Sequence, residues 1–119
     1  MVELALCLPI LLIITFGSIE AANSIFLKQT LTEVAYETAR IAATQGHTEQ
    51  DARTRAAEIL AARGISDAVV EITPAIDANT AAGTPITIHI TAPSSSNSIG
   101  PQMYFQDATM STNVVMVRL

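Results

Sequence analysis

The chain has 119 residues, half of them hydrophobic, yet only 14% charged and 4% aromatic, with a mean hydropathy of +0.40. Soluble domains carry about 25% charged residues, so this is not the composition of an ordinary cytosolic domain, and it excludes a disordered chain, which needs low hydrophobicity and high charge. Six Lys+Arg against eleven Asp+Glu give a net charge of −5; no basic patch exists to displace counterions, so nucleic acid is a poor partner. The length allows one domain. The single cysteine, Cys7, excludes an internal disulfide framework and a cysteine-based zinc site.

The excess hydrophobicity lies at the front. Leu4 to Ile19 contains no charge, with Glu3 before it and Glu20 after it. This run is slightly shorter than the roughly 20 residues that span a bilayer core, and snorkelling ends or local thinning bring it within reach. A secretory signal peptide would have a basic start and a small-residue cleavage site; here no basic residue occurs before Lys28 and Glu20 occupies the cleavage region. A buried helix of a soluble protein would show an amphipathic phase. The pattern predicts a membrane-inserted helix.

The helix is expected to continue. Ala21 to Thr44 contains neither Pro nor Gly. Leu27, Leu31, Val34, Ala35, Thr38, Ile41 and Ala42 form one stripe at helical spacing, with Lys28, Gln29, Glu33, Tyr36, Glu37 and Arg40 mostly off it. Glu37 and Arg40 stand at i, i+3, where they can pair, and Gly46 is the expected stop. The result is one helix of about 40 residues, roughly 60 Å long, apolar all round in its first half and amphipathic in its second.

Thr48 can cap a second helix with Asp51 three residues on; Ala52, Ala56, Ile59 and Leu60 give it a narrow apolar face and Arg63-Gly64 ends it. Three strands are predicted: Ala68 to Thr73, Pro85 to Ala92 (where Ile86, Ile88 and Ile90 alternate with Thr87, His89 and Thr91) and Asn113 to Leu119. Long turn-rich connections, Pro74 to Thr84 and Pro93 to about Thr112, separate them. The expected fold class is α+β: a long N-terminal helix packed under a second short helix and a small antiparallel sheet of about three strands, one face wet. Residues 1–27 read as a hydrophobic half-helix and residues 28–119 as a small globular domain that includes the amphipathic half.

Val2-Glu3-Leu4-Ala5-Leu6, Pro9, Phe16-Gly17-Ser18-Ile19-Glu20 and Leu31-Thr32-Glu33-Val34-Ala35-Tyr36-Glu37-Thr38-Ala39-Arg40 together resemble the N-terminal helix of TadE-like pilins and pseudopilins, of the tight-adherence branch of type IV pilus-like systems. The resemblance covers about the first 45 residues; beyond Gly46 only the layout, a helix and then short strands, is similar. It implies a type IV pilin-like fold and a prepilin cut by a membrane-bound prepilin peptidase. It also implies assembly driven by a cytoplasmic ATPase and an inner-membrane platform. The chain would sit in the inner membrane before assembly and in an extracellular filament afterwards, with copies of itself as partners. In pilin-like precursors the acidic residue commonly sits fifth after a short basic leader ending in glycine; here Glu3 is third from the start, which leaves the cleavage site open.

Glu3 is the sharpest candidate. In a filament its partner could be the α-amino group of an adjacent subunit, setting axial register because misregister leaves charges unpaired in a dry core; otherwise it is a carboxylate favoured by the helix N-terminus and lying among headgroups. Glu20 lies about 25 Å further along the helix and either meets Lys28 or Arg40 of another subunit or marks the membrane boundary as a solvated charge. Pro9 and Gly17 offer points for local bending or unwinding. Tyr104 and Phe105 either dock a neighbouring subunit or plug the small core. Cys7 reads as an apolar filler without a lipobox. His47 and His89 have no ligand partners, and Asp77 and Asn79 read as a turn, not a calcium loop, because the closing acidic residue is absent. Ser94-Ser95-Ser96-Asn97-Ser98 reads as a flexible loop, with O-linked sugar as the alternative. No metal, cofactor or catalytic constellation is predicted, so an enzyme is not expected. Three roles stay open: main filament subunit, minor pseudopilin that primes or caps a filament, and single-pass anchor of a periplasmic binding domain.

Overall fold

Helix α1 spans Val2–Ala43, 42 residues, about 63 Å at 1.5 Å per residue, and sets the long axis of a molecule measuring 73 × 22 × 18 Å. The computed structural model describes residues 1–77, 79–97 and 108–119. The helix is unbroken through Pro9 and Gly17. Proline there removes a single N–H, in the third turn, and the rest of the ladder carries the helix past it.

The predicted stripe is the core face. Leu27, Leu31, Val34, Ala35, Thr38 and Ala42 are buried and Ile41 packs against them half-buried. Helix α2, Glu49–Ala62, starts at Thr48 with the expected capping box: the Asp51 N–H donates to the Thr48 hydroxyl and the Thr48 N–H donates to the Asp51 carboxylate at 2.8 Å. It ends on Gly64, whose φ of +70° suits a residue without Cβ, with Ile65 N–H donating to Leu60 O and Gly64 N–H to Ala61 O. Ala52, Ala56 and Leu60 are its buried face. Small residues on both helices (Ala35, Ala39 and Ala42 on α1) leave room for close approach. A bidentate pair from Arg63 to Glu33, at 2.9 and 2.8 Å, ties the two together. The Glu37–Arg40 pair does not form among the described residues.

The sheet is antiparallel with order β1-β2-β3: β1 Val69–Thr73, β2 Pro85–Pro93, β3 Thr109–Val117. Ile86, Ile88, Ile90 and Ala92 of β2 point into the core opposite Met116, Val114, Thr112 and Met110 of β3. Thr87, His89 and Thr91 lie on the opposite, wetter face, with His89 against Asn113. β3 therefore begins four residues before the predicted Asn113 and ends before Arg118. Its polar first half, Thr109–Thr112, has little intrinsic strand preference and is recruited by pairing with the nine-residue β2. The Pro93-to-Thr112 connection is correspondingly shorter, and Ser94–Asn97 forms one helical turn, α3. Asn97 of α3 fixes the α2–β1 loop through Ser66 N–H to Asn97 Oδ1 at 2.7 Å and Asn97 Nδ2 to Ser66 O at 3.0 Å.

The lower end of α1 shows complete accounting of its last four carbonyls, which have no partner inside a helix. Thr44 Oγ1 donates to Arg40 O at 2.8 Å and Thr44 N–H to Ile41 O at 3.1 Å. The segment leaving β3 supplies the other two: Arg118 Nη1 donates to Ala42 O at 2.6 Å, and Leu119 N–H to Ala43 O at 2.8 Å. The helix thus ends where the chain coming off the sheet caps it.

Candidate functional site

Buried positions on α1 begin at Glu20; no residue from Met1 to Ile19 is buried. Ten large apolar side chains between Val2 and Ile19 stand more than two-fifths exposed. Covering side chains of this kind is worth about 1.5–3 kcal/mol each, so on the order of 20 kcal/mol awaits a partner, more than a whole domain's usual stability. The helix is long and apolar enough to cross a membrane. The two hydroxyls of its uncovered part are turned onto its own backbone: Thr15 Oγ1 donates to Leu11 O and Ser18 Oγ to Ile14 O, both at 2.7 Å. With their hydroxyls satisfied inside the helix, Thr15 and Ser18 do not call for water, and the charges of this segment lie at its tip, on Met1 and Glu3.

Glu3 sits at the tip, its side chain 94% exposed, with the amine of Met1 3.5 Å from its carboxylate. Two groups so open to solvent contribute little to each other, so Glu3 is held by nothing within the chain. Glu20 is different. It is 1% exposed, which removes the reading of a solvated boundary charge. The reason is helical phase: Glu20, Ser24, Leu27 and Leu31 fall at i, i+4, i+7 and i+11, all buried, so Glu20 heads the core stripe. Lys28 donates to Ser111 O of β3. Arg40 is exposed and forms no ion pair among the described residues. Tyr104 and Phe105 lie outside the described residues. Cys7 is exposed on the apolar half-helix.

Two features were not singled out from the sequence as sites. One is Arg118, 1% exposed, whose guanidinium donates to three carbonyls: Ala42 at 2.6 Å, and His47 and Asp77 at 3.1 Å each. Its positive charge sits at the negative end of the α1 dipole. The other is a groove beside Lys28, between α1 and the start of β3. The Glu20 spacing was legible; the partners of Arg118 come from three separate stretches of chain, and no local pattern announces them.

At the head of α2, the N–H of Thr48 holds the Asp51 carboxyl below its usual 3.8, helped by the Thr48 hydroxyl and by nearby His47. A depressed carboxylate adds stability above its unfolded value and loses it as pH falls through the lower folded value. The difference in unfolding temperature between wild type and Asp51→Asn is therefore expected to be full at neutral pH and to vanish in acid below 3.8. A gap that stays constant from neutral pH into that range would overturn the assignment.

A long helix, half naked and apolar enough to cross a membrane and half covered by a small α+β head, defines a pilin-like architecture. Residues 1–40 match the model of the family described as TadE-like protein, the stretch holding Glu3, the apolar run and most of the stripe. The match covers 40 of the 119 residues, all of them on α1 or its N-cap, Met1. No curated protein and no solved structure matches the chain.

Proposed function

We propose that the chain is a structural subunit of an extracellular type IV pilus-like filament of the tight-adherence class, serving surface attachment and carrying no enzymatic activity or cofactor. Residues 1–27 act as inner-membrane anchor and then as filament core, and residues 28–119 as the outer coat. The observation that carries this reading is the wholly uncovered apolar half of α1, joined to the TadE-like match over the same helix. Leaving the bilayer for a bundle of its own copies keeps those side chains out of water at every stage. Prepilin peptidase, the assembly platform and other copies of the chain are the partners this requires. Sheared-cell supernatant, inspected by electron microscopy and immunoblot, is expected to show fibres containing the chain; retention of all of it with the membrane would overturn the reading.

Glu3 supports assembly over plain anchoring, since a simple anchor has no use for a carboxylate in front of its apolar run. Glu3→Ala is expected to leave membrane insertion unchanged and to reduce sheared filament at least ten-fold, a loss of about 1.4 kcal/mol or more per subunit joined. Normal filament yield from that variant would remove Glu3 from the assembly mechanism. A second reading, the minor pseudopilin that primes or caps, is favoured by the family match itself, because TadE-like proteins are usually minor components. Quantifying the chain within purified fibres separates the two: a main subunit dominates the fibre mass, and a priming subunit is present in a few copies.

A further inference from the structure

The groove beside Lys28 has a volume of about 580 Å³, with Ala21, Ser24, Ile25 and Lys28 on the α1 side and Thr109 and Met110 on the β3 side. Its walls are mostly apolar, yet two polar groups converge in it. Ser24 is nine-tenths buried and its hydroxyl has no hydrogen-bond partner among the described residues. Lys28, one turn on and therefore on the same face, uses one ammonium proton on Ser111 O and has two left to donate.

Position says what the groove meets. Lys28 lies eight residues past Glu20, about 12 Å along the axis, and the headgroup layer of a bilayer is about 5–8 Å deep on each side. Side chains on a helix lean toward its N-terminus, so the long lysine stem carries its ammonium back toward that layer. The chain as a whole is repelled by an anionic surface, with a net charge of −5. Lys28 is the first basic residue after the apolar run, and the next, Arg40, lies about 18 Å further from the membrane. Arg63 stands about 7.5 Å beyond Lys28, but its charge is already paired there with Glu33, which leaves Lys28 as the basic group nearest the apolar run without an ion pair among the described residues.

We infer that the groove holds one anionic glycerophospholipid from the leaflet in which α1 emerges. Its phosphate lies against the Lys28 ammonium, beside Ser24 in the groove wall. The start of an acyl chain lies along Ala21, Ile25 and Met110. The inference rests on the membrane-anchoring part of the proposed function and not on its filament part.

The test uses the full chain as single copies in lipid nanodiscs of equimolar phosphatidylcholine and phosphatidylglycerol, with retained lipids counted by native mass spectrometry. Wild type is expected to keep one phosphatidylglycerol in preference to phosphatidylcholine. Lys28→Gln, an exposed position where folding is not at stake, is expected to lower that preference about five-fold, the effect of one lysine near a charged surface. Lys28→Arg is expected to keep it. Equal retention of the two lipids by wild type, or an unchanged preference in Lys28→Gln, overturns the inference. In nanodiscs loaded with several copies, a second chain in the groove, detected as cross-linking from Met110→Cys to its apolar half-helix with no lipid retained, also overturns it. Because lipid counting on single chains needs no fibre, its failure leaves the filament reading standing, and missing fibres leave the lipid count standing.

Discussion

Arg118→Met is expected to destabilise the folded head by about 3–5 kcal/mol, at nearly unchanged side-chain volume. Three carbonyls, the buried one of Ala42 and the part-buried ones of His47 and Asp77, lose their donor at once, and a buried acceptor left unsatisfied costs about 1–3 kcal/mol before relaxation. One of the three ends α1, where a positive charge also offsets the helix dipole. The Arg118 backbone is fixed as well, its N–H donating to Thr84 O at 2.9 Å and its carbonyl accepting from Gly83 N–H at 2.7 Å, so the side chain cannot be replaced by sliding the strand. For a head of this size the loss corresponds to a drop in unfolding temperature on the order of 15–20 °C. Arg118→Lys is expected to recover a minor part, because one ammonium cannot serve three carbonyls that a planar fork reaches together. Thermal unfolding in detergent, followed by near-ultraviolet circular dichroism, is the measurement; a methionine variant melting within about 2 °C of wild type would show that the guanidinium is dispensable.

The second expected result sets two leucines of one helix against each other. Leu31 is 0% exposed and Leu8 is 52% exposed. Leu31→Ala removes a side chain from the junction of α1 with the sheet and is expected to cost about 3 kcal/mol of head stability, the transfer term plus the cavity it leaves. Leu8→Ala is expected to leave head stability unchanged, because nothing in the chain touches that side chain closely enough to bury it. Its cost falls on partition into the membrane, about 2 kcal/mol of lost apolar burial, read as weaker retention by vesicles. Equal effects of both substitutions on unfolding of the head would contradict the division of α1 into a naked and a covered half.

Much of this arrangement could be read from residue order alone. The boundaries of α1 and α2 follow from an uninterrupted stripe, a Thr48–Asp51 cap and Gly64, all local devices acting over three or four residues. β2 was legible because its isoleucines alternate strictly. The second half of β3 was legible too, but its start was not, since Thr109, Ser111 and Thr112 carry no strand signal of their own and are ordered by β2 beside them. Glu20 was read two ways, as a partner for a basic group of another subunit or as a solvated boundary charge. Its charge suggested solvent, whereas its phase with Ser24, Leu27 and Leu31 puts it under cover. In that case the helical period outranks the side chain's preference for water.

The excess of hydrophobicity over charge belongs to residue order, and so does its confinement to a half-helix bounded by Glu3 and Glu20. That much needs no tertiary structure, because a stretch with no polar face cannot be satisfied by any single small domain and must find lipid or copies of itself. Tertiary structure decided where the charged and polar exceptions go: Glu20 under the head, Arg118 across the end of α1, Lys28 on the edge of β3 beside an open groove. Each of these depends on segments dozens of residues apart meeting in space. The physical reason is range: hydrophobic period and capping act within a turn, and the partners of a buried charge are fixed only when the sheet closes on the helix.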